Sequence, residues 1–138
     1  MFQDAEYEDR VCNGLEYIWS HGGEMVDDYQ NPTRVVINSP ETVSGLAMEW
    51  SMIEDGVSPP DVADYTELES FEEFLSGRAV FCRIVPTYYA LIGGPRSLLS
   101  REQVEVTPIP AGTRGQSAGC LGGWNLHINA ASDKQEEA

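Results

Sequence analysis

Lysine is almost absent from these 138 residues: Lys134 stands alone, and arginine supplies the rest of the eight bases, against 23 acids and a net charge of −15. A field of that sign repels phosphates and anionic membrane surfaces, so nucleic acid is excluded as a partner and neutral or cationic ligands are favoured. No apolar run approaches the roughly 20 residues that cross a bilayer. The N-terminus is acidic (Asp4, Glu6, Glu8, Asp9), with no basic n-region, so no signal sequence is expected within the chain. Cysteine is scarce too. Cys12, Cys82 and Cys120 do not fall at metal-site spacing, so no metal or cofactor is expected. Two readings of them stay open: three small, partly buried hydrophobes, or one disulfide with a thiol left over in an oxidising compartment. Ser117 and Ser132 lack a G-x-S-x-G elbow, and the pairing of Cys120 with His127 has no third member. Nothing places two carboxylates in one pocket as a glycosidase needs. Catalysis is not expected.

What is there suits one globular domain. The hydrophobic fraction is 41%, with three Trp, six Tyr and four Phe, enough for a moderate core. Val11, Leu15, Ile18 and Trp19 recur at helical spacing and predict an amphipathic helix from about Glu6 to His21, stopped at Gly22-Gly23. Arg34 to Asn38 reads as a short extended segment. Ser39 caps a second helix with Pro40 in its first turn; Val43, Leu46, Ala47, Trp50 and Ile53 form its apolar face. Trp19 and Trp50 are expected in the core, and Glu72, Glu73, His21 and His127 outside any site. Thr66-Glu67-Leu68-Glu69 is a capping box opening a third helix with Leu68, Phe71, Phe74 and Leu75 inward. Strands are predicted at Ala79–Arg83, Val104–Pro108 and Trp124–Asn129, a short helix over Thr87–Ile92, a loop over 110–119, and a helix start from Ser132. Helices alternating with short strands predict an α/β or α+β layer structure.

Several segments then resemble one family. Phe74-Leu75-Ser76-Gly77-Arg78-Ala79-Val80-Phe81 is similar to the F-x-x-G-[KR]-x-A-[MF] segment of the extracellular solute-binding proteins of sugar ABC importers. A Pro-plus-aromatic turn follows (Pro86-Thr87-Tyr88-Tyr89), then Val106-Thr107-Pro108-Ile109-Pro110, then Gly122-Gly123-Trp124-Asn125. Upstream, Val11 to Tyr17, Gly22-Gly23-Glu24 and Asn38-Ser39-Pro40-Glu41 fit as well. Each motif is weak alone; their order and register make the resemblance specific, and the maltose/trehalose-binding branch is nearest. Two departures stand out. Ile84 and Val85 replace an Asn-Trp pair, and Asp9-Arg10 replaces Gly-Leu after Tyr7-Glu8.

The resemblance implies an α/β, partial periplasmic-binding-protein-like class II fold, with helices packed on a short mixed sheet. Residues 1–118 would form most of the second lobe. Residues 119–138 would form a crossover strand and the start of a truncated helix returning to a missing first lobe. It implies an extracytoplasmic receptor that holds a di- or oligosaccharide between lobes and presents it to permease subunits. Sugars offer hydroxyls to polar groups and C–H faces to aromatic rings, so such sites mix the two. The ligand-contacting residues so implied are Trp124 after the bare Gly122-Gly123 stretch, Tyr88 and Tyr89 at the turn, Arg83, and Tyr7 with Glu8. By the same resemblance Cys12 and Cys120 lie near one another as candidates for a bridge. A polyamine or peptide ligand is the alternative. An unpartnered crossover strand would fold back, form a homodimer or be swapped between copies.

Overall fold

The computed structural model describes residues 2–112, 115–123 and 125–137. Three α-helices make the body: α1 (Glu8–Ser20), α2 (Pro40–Glu54) and α3 (Glu67–Leu75), with 3-10 turns at Pro60–Asp64, Pro86–Leu91, Arg101–Gln103 and Gln135–Glu137. The predicted short helix after Pro86 is therefore a 3-10 turn, and so is the predicted helix start in the tail.

α1 ends where Gly22 takes φ 85°, a conformation open to glycine without steric cost. Its inward side differs from the expected apolar stripe. Ile18 is buried, but Leu15 and Trp19 are half-buried and Val11 is exposed, while Asn13, Glu16 and Ser20 are buried. The reason lies in what α1 meets. On that side Asn13 meets the Gln3 carbonyl and Glu16 meets the half-buried Arg83, so a polar stripe is the complementary surface.

α2 is capped as expected, Ser39 Oγ accepting from Thr42 N at 3.1 Å. It crosses α1 on Thr42 and Gly45, the two buried positions of the helix. Small residues allow the backbones to approach closely, so α2 turns its narrow side to α1. The predicted apolar face consequently points outward: Val43, Leu46, Ala47 and Trp50 are exposed and Ile53 is half-buried. Trp50, expected in the core, is 62% exposed.

The capping box of α3 is present, with Thr66 N donating to Glu69 at 2.9 Å. Phe71 and Leu75 of α3 join Ile92 in the buried core, and Phe74, Cys82, Ile84, Tyr88 and Val104 pack against it. Phe71 meets Tyr88 edge-on at 5.3 Å between ring centres. Fully burying a side chain of this size contributes about 2 kcal/mol. Leu68, predicted to face inward, is exposed. The N-terminal segment is laced to the same body: Asp4 N donates to the Val62 carbonyl, Ala5 N to that of Tyr65, and Ser70 Oγ to that of Phe2.

No strand forms among the described residues; the single β feature is an isolated antiparallel bridge between Val26 and Val35. The segments predicted as strands at Ala79–Arg83 and Val104–Pro108, and residues 125–129 of the third, form no strand among the described residues. The short mixed sheet is thus not formed within these residues. A strand is a pairwise structure, and no ladder forms here among the described residues.

Candidate ligand-binding site

Where α1, α3, the 82–88 segment and residues 118–120 converge, polar side chains gather. Glu16 on α1 is 5% exposed. Its carboxylate receives Arg83 through Nε and Nη2, both at 2.9 Å, and the backbone N–H of Cys120 at 2.8 Å. Three donors to one buried carboxylate offset its desolvation, and the forked geometry fixes the guanidinium plane. Arg83 Nη1 is buried without a hydrogen-bond partner among the described residues.

One turn earlier on α1, Cys12 lies near Cys120, close enough for the two thiols to interact. Burial, then the Cys120 contact and the charge of Asp9, push the Cys12 thiol up to about 11. It is a poor thiolate at neutral pH. Cys82 lies apart, its Sγ directed at the carbonyls of Ser70 and Arg83. All three cysteines are free.

Asp9 accepts from Tyr7 Oη at 2.8 Å and from Gln3 Nε2 at 3.2 Å, and lies beside Glu67 at the start of α3. Burial opposes its ionisation, but those hydrogen bonds outweigh it and hold Asp9 below the ordinary carboxylate range. Glu67 goes the other way, raised by burial and then by Asp9. Two adjacent carboxyls do not ionise independently, and of the pair Asp9 gives up its proton first. Tyr7 Oη also accepts from Glu67 N at 2.9 Å. Burial and the bond to Asp9 raise the pKa of this phenol. Gln3 is fully buried, and Asn13 Nδ2 donates to its carbonyl.

The structure therefore brings Tyr7, Arg83, Cys12 and Cys120 to one junction, with Tyr88 nearby. Tyr88 packs its ring on Phe71, and burial followed by the charges of Glu67 and Asp9 raises its phenol. Glu8, Tyr89, Gly122 and Gly123 lie outside that junction. Glu8 is exposed at the first turn of α1. Tyr89 is 39% exposed, with the Arg101 guanidinium 5.9 Å over its ring. Gly122 and Gly123 are exposed, and a Cβ on either would meet nothing within 4 Å. Trp124 lies outside the described residues. Sequence reasoning missed Gln3, Asp9, Glu16 and Glu67. A signal existed: Asp9, Asn13, Glu16 and Ser20 recur at helical spacing as a polar stripe.

Among the described residues no group of three or more His, Cys, Asp or Glu is arranged to hold a metal ion, and no helix is long and apolar enough to cross a membrane. The arrangement anchors segments and buries charge.

No family model matches the chain. A protein of Deinococcus radiodurans named "Probable ABC transporter-binding protein" is 33% identical over 138 residues, which is 100% of this chain and 32% of that protein. The solved structure of maltose-bound T. maritima MalE3 superposes with a TM-score of 0.90 and 38% identity, covering 99% of this chain and 34% of that one. The chain thus spans about a third of the length of each. Identity over the whole of this chain to the one and backbone agreement with the other bear out the resemblance of its motifs to the solute-binding proteins of sugar ABC transporters.

Proposed function

We propose that this chain is part of the substrate-binding component of an ABC importer that takes a di- or oligosaccharide. The observation that carries the reading is the backbone agreement with MalE3, a protein solved with maltose bound, at 38% identity over 99% of the chain. In this reading residues 1–118 belong to the second lobe and 119–138 cross back toward the first, so that sugar bridges the two. Tyr89, Gly122, Gly123 and Trp124 supply the ring faces and bare backbone that suit C–H surfaces, with Tyr7, Glu8 and Tyr88 on the polar side. Binding shifts an open–closed equilibrium, and the closed form is delivered to the permease at the extracytoplasmic face, where the protein is held as a lipoprotein or free in a periplasm. Bound sugar is released unchanged.

Support comes also from charge. A net charge of −15 suits a neutral ligand and a hydrated surface better than an anionic one. Calorimetry of the full-length protein against maltose, trehalose, longer oligosaccharides and spermidine tests the reading. Saturable heat with a sugar is expected; saturation by the polyamine alone overturns it. Residues 1–138 by themselves are expected to bind sugar weakly, because half of the groups that hold it lie on the other lobe, and micromolar binding by them would contradict the two-lobe reading.

A further inference from the structure

We infer that Glu16 is a positioning residue for the ligand-contacting segment around Gly122 and Gly123, and that Arg83 acts through Glu16 and does not touch the ligand. The inference rests on the sugar-binding reading above. Its basis is the way residues 117–128 are attached. Leu121, Gly122, Gly123 and residues 125–128 are exposed, and no Cβ contact is available to either glycine. Among the described residues, the hydrogen bond that ties this stretch to the helical body is that of the Cys120 N–H on Glu16, and the Cys120 thiol lies near that of Cys12. Gly119 lies close beside the same carboxylate, 3.9 Å separating its built Cβ from Glu16 Oε1.

Glu16 can hold that amide only because it is itself held. Arg83 takes both carboxylate oxygens in a planar fork, so the oxygen offered to Cys120 has one direction. Two of the three guanidinium nitrogens of Arg83 are committed to this pair. An arginine so engaged, with 18% of its side chain exposed, is a strut and not a hand extended to ligand. Cys12 and Glu16 are one turn apart on α1, so the same helix face that bonds the Cys120 amide also lies beside its thiol.

The test uses the full-length protein and three variants. Glu16→Gln keeps the shape but turns one oxygen into an N–H donor that opposes either Arg83 or Cys120. Arg83→Lys keeps the charge and loses the fork, and serves should Glu16→Gln fail to fold. Cys12→Ser combined with Glu16→Gln also removes the thiol beside Cys120. Hydrogen exchange is read across residues 117–128 and across α1–α3, and maltose affinity is read by calorimetry. The expected result is faster exchange confined to 117–128 with α1–α3 unaltered. Sugar affinity is expected to fall on the order of tenfold, as for other residues that orient ligand groups through hydrogen bonds. The double variant should lose more. Unchanged exchange at 117–128, or faster exchange there with unchanged affinity, overturns the inference while the wild type still binds sugar. A wild type that binds no sugar overturns the underlying reading and this inference with it.

Discussion

Gly45 of α2 lies so close to Tyr17 of α1 that a Cβ built on it would stand 2.5 Å from the Tyr17 carbonyl oxygen. Backbone, not a movable side chain, occupies the space. Gly45→Ala is therefore expected to force the helices apart and cost about 1–3 kcal/mol, despite the better helix propensity of alanine. Gly14 of α1 is the control. A Cβ there meets Glu49 and Leu46 side-chain atoms at 3.9 Å, an ordinary contact. Gly14→Ala should stabilise by about 0.5–1 kcal/mol. Urea melts of the two variants, at unchanged m, check both signs.

Glu49 carries a pH dependence. Burial, then the charge of Asp4, push its carboxyl up to about 7, with Arg10 acting against them. Its Oε1 is buried without a hydrogen-bond partner among the described residues. A folded-state value above the unfolded one (about 4.3) means the native state binds the extra proton. The stabilisation is complete below the unfolded value and is lost as pH rises through about 7. Glu49→Gln should flatten the Tm profile between pH 5 and 8 and raise stability at the alkaline end. Partial exposure screens the effect, so about 1 kcal/mol is expected. Parallel wild-type and variant profiles would rule this out.

Cys12 and Cys120 are proposed to close a disulfide in oxidised protein, leaving Cys82 free. Their thiols lie near one another, whereas Cys82 sits apart against two carbonyls. Thiol titration of oxidised, denatured protein should find one free thiol, and three would exclude the bridge. Closing so long a loop is expected to add about 2–4 kcal/mol, lost on reduction.

Residues 1–138 taken alone are expected to self-associate. Val106, Leu121 and Leu126 are exposed on segments that form no strand among the described residues. Extended backbone beside apolar side chains recruits another copy. Light scattering giving a monomer at all concentrations would count against it.

Local features were legible in the sequence. The Ser39 cap, the Thr66–Glu69 box and the Gly22 stop depend on residues a few positions apart, and each appears where the pattern put it. Features that depend on a distant partner were not. The apolar stripe of α2 says which side is apolar but not what lies beneath the other side, and Gly45 decided the orientation. Runs rich in Val and Phe say strand, yet a ladder needs a second backbone, and none forms among the described residues. Tyr88 and Tyr89 are neighbours with equal prior merit; one packs on Phe71 and the other lies under Arg101. The junction at Glu16 was hidden because the reading of α1 followed its apolar residues, while the buried side carries Asn13, Glu16 and Ser20.

The amide of Cys120 reaches a carboxylate 104 positions earlier in the chain. Joining points so remote carries a loop-closure penalty that grows only logarithmically with the intervening length, but it must be met before the contact returns anything. Such a link belongs to the late stage of folding, after the helices have nucleated from neighbouring residues, and on unfolding it is among the earliest to let go. Leu121, Gly122 and Gly123, exposed just beyond that link, are thus expected to settle after the helices.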